Sequence, residues 1–195
     1  MPESQAQESE TAPNPDAGDT FDITIREVPE LVVAFEYSER HADELPQWLP
    51  GAMSRVYEAA NAHGGIASTH HLGYLERDDL PPEPVFIVIY DGNPEHGAMR
   101  VEVTAPVTGV EPDAAATNDA LLLFPAHSEA FVRLKRSQAD PDDLGKAYEA
   151  VERWVLDQGH AIAAPPREVY FTDFMGAAPH EEVCDIAWPI VPAKR

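Results

Sequence analysis

The feature that most constrains this chain is an internal repeat. Sliding the second half over the first by 96 residues gives an ungapped match from Pro29/Pro125 to Tyr74/Tyr170, with identities at Ala34/Ala130, Phe35/Phe131, Arg40/Arg136, Ile66/Ile162 and Ala67/Ala163 between them. The pattern of elements repeats with it. Residues 23–38 are rich in β-branched and aromatic side chains and predict extended chain. A helix is expected within Leu45–Ala62, with Pro50 in its first turn and Gly64-Gly65 stopping it. Strands at 71–76, 85–90 and 100–106 follow. After a polar connector at 108–120 the series restarts: a strand over 128–135, then a helix opened by Asp140-Pro141-Asp142-Asp143 and closed by Gly159. Leu144, Ala147, Tyr148, Val151, Trp154 and Val155 form its apolar face, and strands at 168–172 and 183–190 complete the half. Residues 101–106 align with 184–189. Each half thus reads strand–helix–strand–strand. The expected fold is α+β: two pseudo-twofold-related βαββ units sharing an antiparallel sheet, helices on one face and a ligand cleft on the other.

The chain is 195 residues long with a formal charge of −22, enough for one well-buried core. A surface so negative repels phosphate backbones and anionic lipid, which argues against nucleic acid and membrane surfaces as partners and favours cationic ligands. The single cysteine, Cys184, allows no intrachain disulfide, in keeping with a cytoplasmic protein. Residues 1–19 are acidic, carry no aromatic side chain and predict a disordered tail without signal-peptide character; the domain is expected over 20–195, with halves at about 20–107 and 121–191.

Several segments of the second half carry a family resemblance: Phe124-Pro125-Ala126, Leu144-Gly145-Lys146-Ala147-Tyr148-Glu149-Ala150, the run from Trp154 to Gly159, Pro165-Pro166-Arg167-Glu168-Val169-Tyr170 and the strand from Glu182 to Ile190. In these, the sequence resembles the GyrI-like small-molecule-binding family, the effector-binding domain of multidrug-sensing regulators, across about residues 22–191. The resemblance implies tandem βαββ units around a cleft for bulky aromatic, often cationic compounds. Some members of the family are similar to hydrolases that open cyclopropane rings of DNA-alkylating natural products, and others antagonise DNA gyrase. Two departures stand out. Asp185 occupies a last-strand position where the family usually has Glu, and Gln138-Ala139-Asp140 replaces a Gly-x-Tyr. No helix-turn-helix segment precedes the domain.

Strand alternation assigns candidate site residues. Cys184, Ile186 and Trp188 are expected to face the helices and Asp185 the opposite side; Val169 and Phe171 are likewise turned to the helices and Tyr170 away. By the repeat, Tyr74 and Glu102 join Asp185 and Tyr170 on the non-helical side, and Trp48 is placed at the cleft mouth. Asp185 would meet a cation, aromatic rings adding cation–π attraction. The alternatives are a solvated strand carboxylate for Asp185 and Glu102, and packing roles for Tyr74, Tyr170 and Trp48. An enzyme would use Asp185 as base and Tyr170 as acid. No metal site or cofactor is expected, since His70-His71 and His180-Glu181-Glu182 cannot converge on one ion. The sequence reading is therefore a stand-alone binder of hydrophobic or cationic compounds, serving drug sequestration or antibiotic resistance. A cyclopropane hydrolase or a gyrase partner are the alternatives.

Overall fold

Pro29 cannot donate to a sheet ladder, and the extended run at 23–38 divides there into β1 (Ile23–Val28) and β2 (Leu31–Arg40). In the computed structural model, which describes residues 21–78, 80–93 and 97–193, the order continues with α1 (Leu45–Ala62), β3 (Phe86–Asp91), β4 (Met99–Pro106) and α2 (Pro112–Ala115). Then come β5 (Leu121–Phe124), β6 (His127–Lys135), α3 (Pro141–Asp157), β7 (Ala161–Ile162), β8 (Arg167–Tyr170) and β9 (Glu182–Val191). The acidic tail expected at 1–19 lies outside the described residues.

All strand pairings are antiparallel, and the strands form one nine-stranded sheet in the order β1-β6-β9-β8-β3-β4-β2-β5, with β7 on β9. The order is palindromic under exchange of the halves. The leading strand of each half crosses over: β1 pairs with β6, and β5 pairs with β2. The halves join where β3 meets β8.

The ladders establish which residues are symmetry mates. Tyr37 pairs with Glu102 as Arg133 pairs with Asp185, and Ala67 N–H donates to Pro106 C=O as Ala163 N–H donates to Pro189 C=O. At the centre, Tyr90 pairs with Val101 as Tyr170 pairs with Cys184. The mate of Tyr170 is therefore Tyr90 rather than Tyr74. By the same count Val88 and Glu168 are mates, and they also pair with each other, so the pseudo-twofold axis passes between them.

Three sequence expectations need correction. The segment 71–76 is not a strand but a pair of 3-10 turns, Thr69–His71 and Gly73–Leu75. Pro50 sits inside α1 rather than in its first turn, because the helix already opens at Leu45 with Pro46 in its first turn. The helices correspond at a spacing one residue shorter than the strands. Gly65 N–H donates to Ala60 C=O as His160 N–H donates to Val155 C=O, and Ala52, Val56 and Ala60 are buried as Ala147, Val151 and Val155 are. Small length differences in the flanking loops absorb the offset.

Both long helices cover one face. Ala52, Val56 and Ala60 pack on Val88, Val101 and Val103 in the first half. Ala147, Val151 and Val155 pack on Val132, Cys184 and Ile186 in the second. The other face is covered differently. An insert at 68–83 has no counterpart between Ala163 and β8, and its described residues, 68–78 and 80–83, fold over that face. Leu72 and Leu75 bury against Val33, Val85, Ile87, Val169 and Phe171.

Candidate ligand-binding site

Over Asp185 the cleft expected on the non-helical face is closed by this first-half insert, and a cavity of about 240 Å³ remains on that face beside Glu102 and Arg167. Beneath the insert lies a closed ionic cluster. Asp185 is fully buried and receives Arg26 Nη1 at 2.5 Å, Arg133 Nε at 2.8 Å and Arg133 Nη2 at 3.1 Å. Arg26 also donates from Nε to Glu129 at 2.8 Å, and Arg133 donates to the Leu75 carbonyl at 2.9 Å. Tyr74 caps the cluster, its ring centroid 5.2 Å from the Arg26 guanidinium; burial pushes its phenol above the ordinary range. Asp185 thus has its cations supplied from within the protein.

Asp185 and Tyr170 lie on opposite faces of the sheet. Alternation had turned Val169 and Phe171 toward the helices, but Tyr170 pairs with Cys184 and shares its helical face, whereas Val169 pairs with Asp185 and shares the other. Period two cannot tell inside from outside when both faces are buried, as they are in β8. The two side chains point to opposite sides of the sheet and are not placed to act as acid and base on one reacting atom. Glu102 does lie on the non-helical face, 3.4 Å from Arg100. Trp48 packs against the first-half core beneath the Arg40 guanidinium, 5.5 Å from its ring centroid.

A cavity of about 640 Å³ opens on the helical face, between α1 and the segment after β8. That volume lies within the range that accommodates drug-sized molecules. Its walls are apolar: Leu49 and Met53 from α1, Phe86 and Val88 from β3, Tyr170 from β8 and Phe174 beyond it. Tyr170 and Phe174 meet edge to face with centroids 5.7 Å apart. Glu83 and Asp173 add carboxylates to the lining.

Behind the Tyr170 ring is Glu168, the carboxylate on the pseudo-twofold axis. Val88, its cross-strand partner, lines the cavity too. Glu168 Oε2 accepts the hydroxyls of Tyr170 at 2.6 Å and Tyr90 at 3.0 Å, and Oε1 accepts that of Tyr148, from α3, at 2.9 Å. The two symmetry-mate tyrosines therefore converge on one acid. In contrast to Asp185, Glu168 has no arginine, lysine or histidine within ion-pairing distance among the described residues. Burial raises its carboxyl above the ordinary range, even though the three phenols pull the other way. Burial likewise holds the three phenols and the Cys184 thiol protonated.

Glu168, Tyr90 and Tyr148 were not among the residues singled out by alternation. One signal was present: Glu168 and Tyr170 stand two apart in one short strand, hence on one face. The convergence of Tyr90 and Tyr148 depends on strand order and had no local signature.

A palindromic antiparallel sheet with a helix over each half, and a cavity beside a buried acid on the axis, defines the α+β architecture of this chain. No protein-family profile and no curated protein matches the sequence. Solved structures match the fold. The C-terminal domain of EcmrR superposes with a TM-score of 0.64 at 20% identity, covering 89% of this chain and 99% of that domain. A longer EcmrR chain, seen in complex with DNA, gives 0.63 at 19% identity over 89% of this chain and 58% of that one. A hydrolase from Listeria innocua gives 0.57 at 12% identity over 90% and 94%. At such identities the likeness is one of fold, and function rests on the site.

Proposed function

We propose that this protein binds bulky lipophilic cations in the cavity between α1 and β8, with Glu168 as the counter-charge. The observation that carries this reading is a carboxylate buried on the symmetry axis with phenol donors and no cation of its own. An ionised acid in that position is costly unless a positive charge arrives, and a lipophilic cation supplies the charge together with surface that fills the apolar walls. Tyr170, Phe86 and Phe174 offer ring faces to the same charge. Tyr170 is both a wall of the cavity and the cover of the carboxylate, so rotation of its ring would admit the cation's positive centre. The negative surface, −22 overall, raises the local concentration of such compounds. This reading agrees with the GyrI-like resemblance of the sequence and moves the counter-ion from Asp185 to Glu168. A role in drug sequestration or resistance follows from tight, broad binding.

The test is a titration with rhodamine 6G, followed by fluorescence anisotropy, of wild type and Glu168→Gln. Wild type is expected to bind, and the variant at least tenfold more weakly, while a neutral dye of similar size binds both alike. Equal affinity of the two proteins for the cation would refute the assignment.

A further inference from the structure

The pseudo-twofold axis runs through the site, yet the site is one-sided. On the α3 side Tyr148 reaches the axial carboxylate and donates to Oε1. On the α1 side the helix correspondence set by Gly65/His160 and by the buried triplets Ala52-Val56-Ala60 and Ala147-Val151-Val155 puts Met53 in the place of Tyr148. Met53 lines the cavity, and its thioether donates no hydrogen bond. Oε2 accepts two phenols, whereas Oε1 accepts only one. The carboxylate thus receives a helix phenol from α3 and, among the described residues, none from α1, the side on which the cavity lies.

We infer that Met53 is the specificity-determining residue of this site: it vacates the place that a second helix tyrosine would take, and the positive centre of the ligand occupies that place beside Glu168. Three consequences follow. The ligand enters from the α1 side alone, because Tyr148 blocks the mirror-related approach. Its apolar body lies along Leu49, Met53 and Phe86. One carboxylate serves one positive centre, so the site takes a single ligand per chain although the fold is duplicated. An unbranched thioether also adapts its shape to differing aromatic bodies, which fits a site of broad selectivity.

The inference rests on the reading of Glu168 as counter-charge, and the experiment separates the two. The full chain is prepared as wild type, Glu168→Gln and Met53→Tyr. Each is titrated with rhodamine 6G after circular dichroism has shown a native spectrum, and Met53→Tyr is crystallised without ligand. Met53→Tyr is expected to bind at least tenfold more weakly than wild type, with the introduced hydroxyl within hydrogen-bonding distance of the Glu168 carboxylate. If Glu168→Gln weakens binding but Met53→Tyr binds as wild type does, the counter-charge stands and the role of Met53 falls. If wild type and Glu168→Gln bind alike, or neither binds, the counter-charge reading falls and the ligand role of Met53 with it. An introduced hydroxyl that turns away from Glu168 overturns the symmetry argument whatever the dye does.

Discussion

Asp185 and Glu168 are buried in this sheet in opposite circumstances. Asp185 is held by Arg26 and Arg133 beneath the insert, and removing it leaves Arg133 with no carboxylate among the described residues and Arg26 with Glu129 alone. Asp185→Ala is therefore expected to cost about 3–5 kcal/mol of stability, read from chemical denaturation, as breaking one partner out of a buried ion pair does. In whatever fraction remains folded, affinity for a cationic dye should change less than threefold. Glu168 is the reverse case. Its carboxyl is raised from 4.5 in the folded protein, so between that value and the raised one the native state holds a proton that the unfolded chain has lost. This contribution to stability is complete below about pH 4.5 and is lost as pH rises through the folded value. A pH series of denaturation midpoints should thus show a decline over that window in wild type that is absent in Glu168→Gln. Dye affinity should move the other way, rising with pH as the carboxyl ionises.

The elements explain why the two acids differ. Residues 68–83 form the one major asymmetry between the halves, and they close the non-helical face over Asp185. Leu75 is the largest aliphatic side chain they bury, and its carbonyl holds Arg133. Leu75→Ala is expected to destabilise the protein by about 2–5 kcal/mol by thermal or chemical unfolding, with a cavity left against Val169 and Phe171. The insert is fastened at its far end as well, where Arg77 pairs with Glu182 over the Phe171 ring. On the helical face no such cover exists. Met53 in α1 and Tyr148 in α3 hold corresponding places, and that one difference in side chain leaves a hollow on one side of the axis.

For the whole molecule, the exchange of leading strands makes the halves interdependent. The second half lacks the edge strand that supplies Arg26 until β1 arrives, and β2 lacks β5 until the connector has been crossed. The contact between β3 and β8 then joins them into one sheet. Fragments 1–107 and 108–195 are accordingly expected to be unfolded or aggregated when prepared separately, and to form a folded one-to-one complex when refolded together. Size-exclusion chromatography with circular dichroism reads the outcome. Independent folding of either fragment would contradict the exchange.

Much of this architecture was written in local pattern. The spacing of Ala147, Val151 and Val155, the Asp140-Pro141 start and the Gly159 stop specify α3 without reference to anything distant, because a helix closes its own hydrogen bonds. Alternation correctly turned Cys184 and Ile186 toward the helices and Asp185 away from them. It failed one strand over, at Tyr170, because β8 is buried on both sides and each of its faces carries one charged side chain, Glu168 on one and Arg167 on the other. It also read 71–76 as a strand, since a short apolar run looks the same whether it pairs or packs across a sheet. Only tertiary structure brought Tyr90, Tyr148 and Tyr170 to one carboxylate, and only it gave Asp185 two arginines while leaving Glu168 with none. A sequence specifies which groups a segment carries and how they alternate. Which charges meet depends on strand order and on what covers each face, and those are settled by contacts between residues far apart in the chain.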